Sequence, residues 1–244
     1  MPAATSSAEA ARRQRRKLIQ ILPEHSRRRA GRIWDGGLFR ASAGAAIFEP
    51  YDRATTMLPV LESERLLLRP RTEADLDAIA AMNADPLVMR YIRPLGDPSM
   101  SREGVKARSF LNVGRGLGYW SVFARDDESE LLGYVGLIPW PIEEGAVELS
   151  YRFAARHWKQ GYALEAGARL VRHGFAGLAL PQIAIVTHPD NAAALRLAER
   201  LGFRRESDRL DGLIGDPPVP GACFRHSAQA WRAADQAAIG LNAR

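Results

Sequence analysis

Downstream of residue 57 the chain alternates between short apolar runs bounded by turn residues and stretches whose apolar side chains recur every third or fourth position. The run Arg65-Leu-Leu-Leu-Arg69 predicts a short strand, and Thr72-Glu-Ala-Asp75 followed by Leu76, Ile79, Ala80 and Met82 predicts a capped amphipathic helix. A second helix is predicted over about Ser101 to Val113, with Glu103 near its start. Gly118 to Ala124 and Leu131 to Ile138 read as strands joined across the charged turn Arg125-Asp-Asp-Glu128, an antiparallel hairpin, and Val147 to Phe153 is the next strand. From Gly161, the positions Ala163, Ala166, Leu170, Val171, Phe175 and Leu178 keep helical spacing until Pro181 stops the run. Ile183 to Val186 reads as a buried strand. Asn191 to Leu201 carries Ala194, Leu197, Ala198 and Leu201 on one helical face, with Gly202 as the C-cap. Phe203 to Arg209 and Ala222 to Ala230 are the final strands, joined by a Pro/Gly loop from Asp211 to Gly221. This order mixes a hairpin half with a strand-helix-strand half. It predicts a single α+β domain of three layers over residues 57–235, with 236–244 as a tail.

Composition changes this picture at one end only. The formal charge of +6 over 244 residues hints at nucleic acid, but the first 60 residues carry eleven Lys/Arg against five Asp/Glu, and the remainder balances at 23 of each. A balanced domain lacks the clustered basic footprint that nucleic-acid binding needs. The excess lies in Arg12-Arg-Gln-Arg-Arg-Lys17 and Arg27-Arg-Arg29, set among Ala, Ser and Gly, so residues 1–56 are expected to be a basic extension of low order, or an over-long start ahead of Met57. A lone cysteine, Cys223, excludes an internal disulfide and fits a reducing, cytoplasmic setting. The five histidines are scattered without metal-ligand spacing, so no metal is expected, and no apolar run is long enough for a membrane span.

The segment with most chemical content is Glu148-Leu-Ser-Tyr-Arg-Phe153, then five residues later Trp158-Lys-Gln-Gly-Tyr-Ala-Leu-Glu-Ala166. It reads as a strand passing through a tight turn into a helix. Gly161 lets a ligand approach the backbone, and the unpaired N–H groups of a first helical turn lie at the positive end of the helix dipole, which suits a pyrophosphate. Gly114-Arg-Gly-Leu-Gly118 mimics a nucleotide-binding glycine loop but precedes a strand, the wrong context. Glu165 reads as a first-turn acid favourable to the dipole and His188 as a loop residue. Trp120, Trp140 and Met89-Arg-Tyr-Ile92 are candidates for an acceptor cleft or for plain packing.

Three pieces in order, Leu61-Glu-Ser-Glu-Arg-Leu-Leu-Leu-Arg-Pro70, Tyr151 to Ala166, and Thr187-His-Pro-Asp-Asn191 running on to Glu199-Arg-Leu-Gly-Phe203, make residues 58 to 232 resemble the GNAT superfamily of N-acetyltransferases, in the RimJ/RimL-like branch. The resemblance implies a mixed, mostly antiparallel sheet splayed in its middle. It implies acetyl-CoA as co-substrate, held along the splayed strand by Tyr151, Arg152 and Phe153, at the pyrophosphate turn by Trp158, Lys159, Gln160, Gly161, Tyr162 and Ala163, and at the next helix by Asn191. Lys159 departs from the family pattern, standing where the branch usually has glycine; Arg156, His157 and Lys159 together form a basic cluster suited to a polyanion. Glu148 matches the family's strand acid and is the expected general base, acting through water; its alternative is a structural glutamate. Where relatives carry the hydroxyls that protonate the departing thiolate, this chain has Ala194 and Ala198. The implied reaction is direct attack of an amine on the thioester, the acceptor being a protein or peptide N-terminal α-amine or a small-molecule amine. The competing expectation, raised by Ala194, Ala198 and Lys159, is a catalytically lapsed acyl-CoA-binding module. A monomer or a homodimer fits equally.

Overall fold

The computed structural model describes residues 57–242 apart from Pro141, Ile142 and Glu144, with the side chains of 207–213 and 238–242 left aside. Residues 1–56, with both basic runs, lie outside the described residues.

One eight-stranded sheet runs through the described residues, in the order β1 (Leu61–Glu62), β2 (Leu66–Pro70), β3 (Gly118–Ala124), β4 (Gly133–Pro139), β5 (Val147–Phe153), β6 (Gln182–Thr187), β8 (Val219–Ser227), β7 (Arg204–Ile214). Every neighbouring pair is antiparallel except β5 and β6. Three helices cover one face: α1 (Leu76–Asn83), the single turn α2 (Pro86–Met89) and α3 (Arg102–Ser109) bury Leu76, Ile79, Met82, Val88 and Val105 against Tyr119 and Tyr134. The opposite face carries α4 (Tyr162–Arg172), α5 (Ala192–Arg200) and α6 (Ala228–Asn242), whose Leu170, Ala198 and Ala228 join Leu66, Trp120, Val135, Leu149 and Ile185 in the larger core. The expected three layers and mixed, mostly antiparallel sheet are present.

Local chemistry accounts for the boundaries. The N–H of Thr72 donates to Asp75 at 2.7 Å, closing the turn that leads into α1, and Ser101 and Asn191 cap α3 and α5 by accepting from Gly104 and Ala194. Gly202, with φ of +85°, ends α5 as expected.

Three boundaries and one short helix differ from the sequence reading. The second long helix stops at Ser109 and not at Val113, because a 3-10 turn at Val113–Arg115 and left-handed Gly116 redirect the chain into β3. Single-turn α2 was too short for periodicity to reveal, although Asp85 caps it and Pro86 opens it. The Asp211 to Gly221 loop contracts to a turn at Gly215–Pro218, as β7 runs on to Ile214 and β8 starts at Val219. The last strand ends at Ser227, whose hydroxyl accepts from the N–H of Ala230, and the alanine-rich stretch after it is α6, which runs on to Asn242.

Candidate active site

The sheet opens between β5 and β6. These strands share a single rung, Glu148 opposite Ala184, while β6 stays paired with β8 along its whole length. Which backbone groups the opening frees follows from alternation. The bonds Trp140 N–H to Ala146 O (2.8 Å) and Ala154 N–H to Leu132 O (3.0 Å) fix the even-numbered residues of β5 as those facing β4. Leu149, Tyr151 and Phe153 therefore direct their N–H and C=O groups to the other side, and beyond the last rung Tyr151 and Phe153 have no strand to meet. The carbonyl of Phe153 accepts from the indole N–H of Trp158 at 2.8 Å, which closes the far end of this free edge.

Of the three residues expected along the cofactor arm, Tyr151 and Phe153 thus present main chain to the opening. Arg152 does not: its backbone faces β4, and its buried guanidinium donates to Asn83 and lies over Tyr134 on the α1–α3 side.

Past β5 the chain makes a 3-10 turn at Ala155–His157 and reaches Gly161, φ +84°, at the start of α4. The N–H groups of Leu164 and Glu165 bond to Gly161 O, whereas those of Lys159, Gln160, Gly161, Tyr162 and Ala163 find no acceptor among the described residues, and Gly161 has no side chain to cap with. A run of free donors at a helix N-terminus fits a diphosphate. Lys159 sits at φ +63°, a left-handed backbone that disfavours side chains, which explains why glycine is usual there. The expected basic cluster is smaller than the sequence suggests. Arg156 and His157 both bond to Glu130, at 2.6 and 3.2 Å, which leaves exposed Lys159 as the member without an ion pair among the described residues.

Sequence reading missed the support behind this turn. Arg65, at the β1–β2 turn, donates from Nη1 to Gln160 O at 3.1 Å and pairs through Nε and Nη2 with one oxygen of Glu165, at 2.8 and 2.7 Å. The other Glu165 oxygen accepts from Ser63 Oγ and Arg65 N–H, both at 2.8 Å. Burial works against the Glu165 charge, but these bonds outweigh it and hold the carboxyl below the usual carboxylate range. Glu165 lies in the first turn of α4, as expected, and also acts as a tether. The spacing of a hundred residues hides such a pair from any local pattern.

Glu148 stands at the vertex of the opening. Burial pushes its carboxyl up to about 7, and it makes no hydrogen bond or ion pair among the described residues. The register explains why. Glu148, Ala184 and Arg225 are successive cross-strand partners and so share a row on one face. Arg225 is already gripped by Glu143 at 2.6 Å and Glu206 at 2.9 Å and packs on the Trp140 ring, and methyl-sized Ala184 stands between. A partly buried carboxyl without a cation keeps its proton to neutral pH, the property a general base needs when it must lose that proton near working pH.

The remaining candidates have these places in the fold. Trp120 is fully buried, its N–H on Pro59 O at 2.7 Å, and Trp140 covers Ala184 and Cys223. Tyr91 stacks on His188 with ring centroids 5.1 Å apart, and Ile92 O accepts from Gly215 at 3.2 Å, so these loops meet. Gly114 to Gly118 form the turn into β3. Ala194 and Ala198 are buried, and Asn191 caps α5. Among the described residues no group of His, Cys, Asp and Glu is arranged to hold a metal, and no helix is long and apolar enough to cross a membrane.

Comparisons with known proteins agree with this geometry. Residues 65–204 match the family model described as an acetyltransferase (GNAT) domain. The uncharacterized N-acetyltransferase YoaA of Bacillus subtilis is 32% identical over 153 residues, covering 62% of this chain and 85% of that protein. An acetyltransferase from Agrobacterium tumefaciens superposes with a TM-score of 0.58 at 28% identity, over 69% of this chain and 94% of its own. RimL, the ribosomal L7/L12 α-N-protein acetyltransferase in complex with coenzyme A, superposes with a TM-score of 0.59 over 70% of this chain and 99% of its own, and at 17% identity it shows a common fold alone. A family match over more than half the chain, on a sheet split beside a helix start rich in free N–H groups, places this protein in the GNAT family of acetyltransferases.

Proposed function

We propose that this acetyltransferase transfers the acetyl group of acetyl-CoA to an N-terminal α-amine of a protein or peptide, or to a small-molecule amine of similar basicity, by direct attack in a ternary complex. In this reading the free N–H groups from Lys159 to Ala163 hold the diphosphate. Tyr151 and Phe153 pair with the amides of the pantetheine arm, and Asn191 adds a contact from the start of α5. A backbone N–H of the splayed strand polarises the thioester carbonyl. The amine lone pair forms the C–N bond as the C–S bond breaks; the amine proton passes through water to Glu148 and the electron pair leaves with sulfur.

The observation that carries the reading is the lone, desolvated Glu148 at the vertex, with its carboxyl near 7. A base of that strength suits some amines better than others. Neutralising a lysine amine at pH 7.5 costs roughly 4 kcal/mol, against about half a kcal/mol for an α-amine. A single carboxylate meets the smaller demand with ease.

The test is a panel of acceptors with acetyl-CoA, read as release of free thiol: peptides with free N-termini, peptides with blocked N-termini and internal lysine, and small amines. Turnover with the free N-termini or small amines is expected. Acceptance of lysine side chains alone would overturn the acceptor class. Coenzyme A binding with no turnover on any amine would support instead the acyl-CoA-binding module suggested by Ala194 and Ala198.

A further inference from the structure

The side chain that the acetyl-transfer reading does not use, yet that touches the diphosphate turn most extensively, is Arg65. It reaches four residues of that turn and helix. Nη1 bonds Gln160 O, Nη2 lies 3.3 Å from where a Cβ on Gly161 would sit, the guanidinium is over the Tyr162 ring at 5.0 Å, and Nε with Nη2 grips Glu165. Glu165 in turn has both oxygens saturated by donors from the β1–β2 turn. About half of the Arg65 side chain is exposed, and an ion pair so placed is worth at most about 1 kcal/mol of stability. Fold stability alone therefore gives little reason for so complete a set of bonds. Geometry gives a better one. By holding the carbonyl of Gln160 from behind, Arg65 fixes which way that peptide unit turns, and with it the N–H groups of Gly161, Tyr162 and Ala163 on the other side. The turn contains two left-handed residues, Lys159 and Gly161, so an untethered version would have other conformations available.

We propose that Arg65, oriented by Glu165 and Ser63, is a positioning residue for the cofactor: it locks the turn with its amide donors outward, so that coenzyme A meets a preformed diphosphate site. The proposal rests on the reading of that turn as the diphosphate site. Locking a turn before the ligand arrives spares the ordering entropy at binding, which affects affinity and leaves the chemical step alone.

The experiment is calorimetric titration of the full chain with coenzyme A and with 3′-dephospho-CoA, for the wild type and for Arg65→Gln, Arg65→Lys, Glu165→Gln and Ser63→Ala, with KM and kcat for acetyl-CoA alongside and melting curves for each variant. Arg65→Gln is expected to weaken both ligands about tenfold and to raise KM by a similar factor, with kcat within about twofold. Arg65→Lys keeps the charge and loses the fork, so it is expected to behave like Arg65→Gln. The double variant Arg65→Gln/Glu165→Gln is expected to be no worse than Arg65→Gln alone, because both act through one contact. Ser63→Ala, which leaves Arg65 in place, is expected to weaken binding only about two- to threefold and keeps the test alive if an Arg65 variant fails to fold. Three results overturn the proposal: unchanged affinity in Arg65→Gln, full rescue by lysine, or a loss confined to coenzyme A and absent with 3′-dephospho-CoA, which would reassign the arginine to the 3′-phosphate. A wild type that binds neither ligand would instead sink the reading of the turn itself.

Discussion

Replacing Glu148 by glutamine is expected to make the protein more stable and far less active, and the pH dependence of both effects follows from one cause. Burial without a cation lifts the carboxyl from 4.5 to about 7. An unfolded chain ionises this group first, so between those values the folded state holds a proton that the unfolded state has lost. Stability contributed by the neutral acid is present below 4.5 and is lost as pH rises towards 7, after which the full cost of a desolvated carboxylate persists. That difference amounts to about 3 kcal/mol, an upper bound because the residue keeps some contact with solvent. Glutamine escapes it. At pH 8 the variant is expected to melt up to about 10 °C above the wild type, an advantage that shrinks to nothing near pH 4. Activity moves the other way. The wild-type kcat/KM with an accepted amine is expected to rise through an inflection near 7, and the variant to lose that inflection together with a hundred- to ten-thousand-fold of rate, in the usual range for a general base. The amine's own ionisation remains in both profiles and serves as the internal reference. Equal melting temperatures at pH 8 would show that the carboxylate is solvated after all. An inflection near 7 surviving in the variant would show that another group is the base.

Two further substitutions probe the cradle around this site. Lys159→Asn places a side chain that tolerates left-handed backbone where lysine now sits at φ +63°; urea unfolding is expected to show a gain of roughly 0.5–1 kcal/mol, and titration a few-fold loss of coenzyme A affinity that disappears in high salt. Unchanged affinity at low salt would mean that the lysine charge does not reach the phosphates. Gly136→Ala puts a Cβ 2.6 Å from the Tyr119 ring and 2.9 Å from Gly118 O, the latter unable to move aside, so a loss of about 1–3 kcal/mol is expected in urea. A neutral result would show that the ring does not lie across that glycine.

The parts of the molecule that were legible in sequence are those written locally. The β3–β4 hairpin, β5, α4 and α5 each carry an uninterrupted apolar rhythm with a turn or cap residue at the boundary, such as Asn191 and Gly202 at the two ends of α5. The turn at Gly161 was visible for the same reason. Where rhythm misled, a competing local signal had won: Phe110 and Val113 kept helical spacing past Ser109, but the glycines that follow turned the chain. What no local pattern could show is chemistry assembled from distant segments. The tether of Glu165 spans a hundred residues, the Arg152 side chain was drawn away to Asn83, and the Glu148 carboxyl owes its state to burial beside a strand that joins the sheet from more than thirty residues further on.

The missing hydroxyls on α5 bear on where the difficulty of the reaction lies. Ala198 has no exposed surface and packs in the main core with Leu170 and Leu201, so the position where the family resemblance leads one to expect a phenol is here part of the hydrophobic interior. A tyrosine there would have to displace packed side chains, and the chain has no hydroxyl at Ala194 to take over. The leaving group makes this tolerable: a thiol with a pKa near 8.5 departs without a strong acid beside it. The amine is the harder partner, since it must shed a proton as the C–N bond forms, and the fold concentrates its means there. It opens the sheet at the one rung that Glu148 occupies, sets alanine beside it, and binds the only nearby guanidinium among the described residues of that row to other carboxylates. On the proposed reading, catalysis in this chain is weighted towards the attacking nucleophile, and the rate should follow the basicity of the acceptor more closely than the identity of the departing thiol.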